Sequence, residues 1–215
     1  MVIKGLQKLT LLDYPGHMAA TVFLGGCQFR CPFCHNASLV LAPDELPDVD
    51  EDEFFAFLSK RRGILDGVAV TGGEPLLARD IDRFFERIKD LGFAVKLDTN
   101  GALPAALRRV VEAGLVDYVA MDIKNSQQRY AETVGLPKAP LDAIRESAAF
   151  LLEGGVPYEF RTTVVRELHT PADMEAIGRW IAGAERYYLQ VFRDSGEILA
   201  SFAPPADGAD PADGP

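Results

Sequence analysis

The chain is 215 residues long, 48% hydrophobic and 25% charged, a make-up that suits one globular domain with a sizeable core. A net charge of −10 argues against a nucleic-acid partner, because affinity for a polyanion rests on clustered Lys and Arg. No apolar run approaches the roughly 18–20 residues of a membrane span. The opening MVIKGLQKLTLLDYPG has no long apolar stretch with a small-residue cleavage site, so no secretory signal is expected and the cytoplasm is the expected compartment. Clustered cysteines there serve metals or catalysis more often than disulfides.

Along the chain, short β-rich runs fall at 20–25, 67–71, 93–99, 118–123, 158–165 and 187–192, each of strand length. Between them, apolar residues recur at helical spacing over 50–60, 80–91, 103–113, 141–152 and 171–182. Start signals mark several of these helices, such as Asp80, or Thr170 followed by Pro171 at a first helical position. Strands joined by crossover helices predict an α/β fold with a parallel sheet. Six repeats are too few for a closed eight-stranded barrel, so the expected architecture is an open, partial (β/α)6 barrel. It forms one domain over 1–199. The tail, ASFAPPADGADPADGP (200–215), is rich in Ala, Pro, Gly and Asp without apolar period and is expected to be disordered.

Chemistry in parallel α/β folds gathers at the C-terminal ends of the strands. The stretch GGCQFRCPFCHN, with all three cysteines, follows the first run; TGGEP follows the second, DTNG the third and MDIK the fourth. All four should face one cavity. Three readings compete for the cysteines. Cys31-Pro-Phe-Cys34-His35 matches the C-x-x-C-H of covalent haem attachment, but that chemistry needs an export route. Zinc could take Cys27, Cys31, Cys34 and His35, although adjacent Cys34 and His35 are awkward ligands for a tetrahedron. Thiolates spaced four and three apart could instead grip three corners of a [4Fe–4S] cube and leave the fourth iron open for a substrate or cofactor.

Cys27-x3-Cys31-x2-Cys34, with Phe33 just before the last cysteine, resembles the cluster loop of the radical S-adenosylmethionine (SAM) enzymes, and Gly72-Gly73-Glu74-Pro75 resembles that family's second motif. LTLLDYPG, CPFCHN, DTNG and MDIK are similar to segments of the glycyl-radical-enzyme activating proteins, and the resemblance runs from about Lys8 to Phe192. It implies a [4Fe–4S] cluster on Cys27, Cys31 and Cys34, with SAM bound at the open iron. It further implies that Phe33 touches the adenine and that backbone at Gly72 and Gly73, with Glu74, meets the methionine ammonium. Lys124 would offset the cofactor carboxylate, and Arg161 would contact the cofactor. Asp98, Thr99, Met121 and Asp122 match positions that bind a monovalent cation in pyruvate formate-lyase activating relatives, with Asp98 also counted among the cofactor contacts. Two carboxylates beside an anionic group need a cation or base between them. The last strand departs from those relatives, with Phe192 or Arg193 where they carry a histidine. His17 and His169 have no motif partner and are expected to be surface or structural residues.

The implied activity is reductive cleavage of SAM to a 5′-deoxyadenosyl radical that takes a hydrogen atom from a glycine of a partner enzyme. Within the family, the resemblance points to anaerobic ribonucleoside-triphosphate reductase as that partner and to a flavodoxin or ferredoxin as electron donor. Alternatives are an activator of pyruvate formate-lyase, a radical enzyme acting on a small molecule in the manner of the deazapurine synthases, and a zinc-binding interaction module without catalysis.

Overall fold

A computed structural model describes residues 1–194 and 198–200. Seven strands form one sheet in simple sequence order: β1 (Ile3–Thr10), β2 (Ala19–Leu24), β3 (Gly67–Gly72), β4 (Ala94–Thr99), β5 (Tyr118–Asp122), β6 (Tyr158–Val164) and β7 (Tyr187–Val191). β2 to β7 are all parallel and correspond to the six expected strands. β1 and β7 are the two free edges, so the sheet is open. The helices are α1 (Ala37–Leu41), α2 (Glu51–Ser59), α3 (Ile81–Asp90), α4 (Pro104–Glu112), α5 (Tyr130–Thr133), α6 (Leu141–Leu152) and α7 (Pro171–Trp180). The expected disordered tail lies outside the described residues except for Ala200. Among the described residues no helix is long and apolar enough to cross a membrane.

β1 is absent from the sequence reading. It pairs antiparallel with β2 and carries two register shifts, and Gln7, Lys8 and Leu9 are exposed. An irregular edge strand of this kind has no clean two-residue alternation to read. The short α1 and α5 are also additions. Of the five longer helices, α2 and α7 carry side-chain caps, while Asp80 stands at the head of α3 without a side-chain cap bond. Asp50 accepts the Asp52 and Glu53 backbone N–H groups, both at 2.9 Å, to cap α2. Thr170 and Asp173 cap one another's backbone at the head of α7, behind Pro171.

Each buried strand has two inner faces. Val68, Val70, Val95, Leu97, Val119 and Met121 are fully buried in the main core with Phe54, Phe84, Phe85 and Ile88 of α2 and α3. The alternate residues turn to the concave side. At its lower end the first positions of four strands, Ala19, Gly67, Ala94 and Tyr118, close around Tyr14 from the LDYPG loop. Tyr14 is 2% exposed and stacks on His17 with centroids 4.1 Å apart. The LDYPG loop thus supplies a floor, at the opposite end of the strands from the cysteines.

Candidate functional site

The cysteine loop leaves the upper end of β2 and is held from several sides. Gly26 N–H donates to the Leu39 carbonyl at 2.8 Å, and Arg30 N–H to the Val134 carbonyl at 2.8 Å. The Arg30 guanidinium donates to the carbonyls of Cys27 (2.6 Å) and Phe29 (2.7 Å). The end of β3 holds the loop most tightly. Gly73 N–H donates to the Leu24 carbonyl at 2.9 Å, and Glu74 N–H to the Gly26 carbonyl at 2.8 Å. A Cβ on Gly72, whose φ is +119°, would meet the Leu24 carbonyl oxygen at 2.3 Å; one on Gly73 would meet that of Gly26 at 2.0 Å. Both positions therefore admit only glycine, for backbone approach as much as for any ligand.

The three thiols are free, Cys31 buried and Cys27 and Cys34 partly so. All three line one cavity of about 230 Å³. Phe29 N–H lies 3.4 Å from Cys27 Sγ, and the Asn100 amide 3.7 Å from it. Burial pushes the Cys31 thiol up to about 12 and raises Cys27 too, while the Lys124 ammonium pulls both down. A bound metal ion would override burial, because coordination deprotonates a thiol outright. Among the described residues no three His, Cys, Asp or Glu side chains converge on a single ion. His35, the fourth ligand of the zinc reading, has Nε2 2.7 Å from the Arg193 carbonyl and its ring stacked on Phe192. Three thiols around a shared cavity fit a multi-iron cluster better than one tetrahedral ion.

The other motifs reach the same cavity. Phe33, Gly72, Gly73, Asp98, Thr99, Asp122, Lys124 and Arg161 line it together with Asn36, Asn100 and Gln190. Phe33 meets Phe192 edge to face, with centroids 6.3 Å apart. Glu74 and Met121 are not on the wall. Glu74 is 1% exposed and turns inward, where it accepts from Leu76 N–H (3.2 Å), the Thr99 hydroxyl (2.9 Å) and Asn100 N–H (2.7 Å). It clamps the end of β3 to DTNG. Burial pushes its carboxyl up to about 7 against the pull of those three bonds. Met121 alternates with Asp122 on β5 and so points into the core, against Gly101.

The two aspartates already have partners. Asp98 accepts from Lys96 and, at 3.4 Å, from Arg161. Asp122 accepts from Arg161 Nε at 3.0 Å and from Lys124 Nζ at 2.8 Å. Burial alone would raise the Asp122 carboxyl, but Arg161 and Lys124 hold it well below the usual carboxylate range. Burial would likewise lower Lys124 and Arg161, and the facing carboxylates leave both above their ordinary values. The residues expected to cage a monovalent cation do not fit one. Both carboxylates are taken by protein cations, and the Thr99 hydroxyl is given to Glu74.

Sequence reasoning missed Lys96, Asn100 and Asn36. Asn36 donates from Nδ2 to the Gly72 carbonyl at 2.8 Å, bracing the motif from the other side. Of the two unassigned histidines, buried His169 accepts Val165 N–H at Nδ1 (3.1 Å), which leaves Nε2 to donate to the Lys124 carbonyl at 2.8 Å. It orients the MDIK backbone, a structural role.

The profile of the Radical SAM superfamily matches residues 21–181. A Methanocaldococcus jannaschii protein provisionally named a glycyl-radical enzyme activating enzyme is 31% identical over 199 residues, covering 89% of this chain and 80% of that one. A 7-carboxy-7-deazaguanine synthase from Hyperthermus butylicus is 34% identical over 96 residues, 44% of this chain and 40% of that one. Among solved structures, Streptococcus suis SuiB bound to its precursor peptide SuiA superposes with a TM-score of 0.67 at 14% identity, over 84% of this chain and 40% of that one. The chain thus spans less than half of the synthase and of SuiB.

Proposed function

The chain belongs to the radical SAM superfamily, and from that premise we propose that it activates a glycyl-radical enzyme, with anaerobic ribonucleoside-triphosphate reductase as partner and a flavodoxin or ferredoxin as electron donor. The observation that carries the reading is the meeting of three free thiols from one loop with the ends of β3, β4 and β5 around a single cavity. The M. jannaschii relative, matched over most of both chains, supports the choice of activator.

A [4Fe–4S] cluster and SAM, when bound, supply one-electron cleavage of the sulfonium and a radical able to abstract a hydrogen atom. The residues of the chain divide the remaining work. Cys27, Cys31 and Cys34 would hold three irons. Phe29 N–H and the Asn100 amide, already directed at Cys27 Sγ, would draw charge from that sulfur and so tune the potential. Gly72 and Gly73 bring bare backbone to the wall, and their missing Cβ atoms let the Leu24 and Gly26 carbonyls pack against it. Lys124 and Arg161, held by Asp122, present fixed cations to a carboxylate, and Phe33 offers an apolar edge for a base. Glu74 acts through others: it sets Thr99 and Asn100 in place.

Anaerobic reconstitution with iron and sulfide, then dithionite and SAM, should yield 5′-deoxyadenosine. With the reductase present, a glycyl signal should appear in the electron paramagnetic resonance spectrum. Deoxyadenosine with no glycyl signal from any candidate partner would redirect the reading to a small-molecule substrate, which the similarity to the deazaguanine synthase favours. An intact cluster that yields no deoxyadenosine would count against the enzyme itself.

A further inference from the structure

Lys96 is 1% exposed and stands just beneath Asp98 of the cavity wall. It lies mid-strand on β4, between Val95 and Leu97, which are fully buried in the main core. The two-residue period therefore turns Lys96 to the concave side with Asp98. Its ammonium pairs with Asp98 Oδ1, while Asp98 Oδ2 faces Arg161. In register, Asp98 stands beside Ala120 and Ala120 beside Glu159. The small Ala120 leaves room for Arg161 to lie across β5, reaching Asp98 at 3.4 Å, Asp122 at 3.0 Å and Glu159 at 4.0 Å. The cavity wall and the layer beneath it thus set Lys96, Lys124 and Arg161 against Asp98, Asp122 and Glu159, charges that balance without any ion from solution.

We infer that Arg161 and Lys96 are built-in counter-cations: Arg161 bridges the β4 and β5 carboxylates where a soluble monovalent cation would otherwise sit, and Lys96 takes the remaining oxygen of Asp98, so cofactor binding in this protein is independent of Na⁺ and K⁺. A carboxylate enclosed at such depth demands a partner. Here the partner is covalently part of the strand. The alternative, a dissociable ion, would have to displace an ammonium already in contact and add a positive charge to a balanced set.

The test compares wild type with Lys96→Met, which keeps the apolar stem of the side chain and removes the ammonium. Thermal unfolding of the protein before reconstitution, in NaCl, KCl and tetramethylammonium chloride at equal ionic strength, should be alike for wild type. Lys96→Met leaves Asp98 Oδ1 unpaired beside a vacated space, and its midpoint should rise saturably with K⁺ or Na⁺ by roughly 5–10 °C, as expected for a ligand held by the folded state alone. The double variant Lys96→Met/Asp98→Asn removes both charges and should again be indifferent to the salt. After reconstitution, the dissociation constant of wild type for SAM should vary by less than about twofold among the three salts, too little for a linked site. A saturable K⁺ or Na⁺ requirement of the wild type would overturn the inference, whether or not Lys96→Met folds. So would a folded Lys96→Met that stays blind to all three cations. The inference rests on the cavity being a cofactor site. The unfolding experiment contains no cofactor or partner, so its failure would leave the activator reading standing.

Discussion

Gly73→Ala puts the contact between the second motif and the cysteine loop under direct strain. The new Cβ would lie 2.0 Å from the Gly26 carbonyl oxygen, and real Cβ contacts essentially never fall under 3.0 Å; the loop must retreat by at least 3.0 − 2.0 = 1.0 Å. It cannot do so freely, because that carbonyl accepts Glu74 N–H at 2.8 Å and Gly26 N–H is tied to Leu39. Overpacking of this kind costs about 3 kcal/mol, which for a chain of this length lowers the thermal midpoint by roughly 6–12 °C. Cys27 is the next residue, so the same movement carries its sulfur out of register with Cys31 and Cys34. A displacement of about 1 Å costs on the order of 100-fold in rate when groups must be held in register. Calorimetry with iron and sulfide analysis after reconstitution reads both effects. Gly178→Ala is the control. Gly178 lies inside α7 with nothing within 4 Å of a built Cβ, so that variant should be neutral or slightly more stable. A Gly73→Ala protein that melts within about 2 °C of wild type and takes up the full complement of iron would refute the argument that the two motifs meet through backbone.

Cys31→Ala should lose iron and SAM cleavage together, since a cluster held at two corners has no stable seat; retained cleavage would remove Cys31 from the ligand set. Glu74 gives a pH signature. A carboxyl whose pKa rises from 4.5 in the open chain to about 7 when folded holds its proton more tightly in the folded state, so its contribution to stability falls as the pH climbs between those values. The loss is on the order of 3 kcal/mol, and urea midpoints at pH 5 and pH 7.5 should show it in wild type and not in Glu74→Gln; equal slopes would contradict the assignment. Tyr14→Ala should cost about 3–5 kcal/mol, as for other large aromatics removed from a core, while each folded molecule still takes up iron in full. An iron defect at temperatures where the variant is folded would argue that the floor and the cysteine loop are coupled.

The parallel strands and longer helices were legible because their residues obey one period each. Val68 and Val70, or Val119 and Met121, announce burial, and Pro171 after Thr170 announces a helix start. β1 was hidden because an exposed, shifted edge strand leaves no such trace. The site separates in the same way. Residue types and spacings told which segments gather at one end of the sheet, but not which way a carboxylate turns. Glu74 faces inward because three donors, two of them from DTNG some 25 residues later, converge on it, and no local pattern records that meeting. Met121 and Asp122 are neighbours that part company across the pleat. Lys96 had a local signal after all: a lysine centred in Ala-Val-Lys-Leu-Asp-Thr shares a face with Asp98, and a cation on an inward face asks for an anion.

Tyr14 has a further consequence for traffic. With four strand starts shut around its ring, the space among the strands is a cul-de-sac below, and nothing passes through it from end to end. Entry and exit are left to the cysteine end of the strands and to the gap between the free edges β1 and β7.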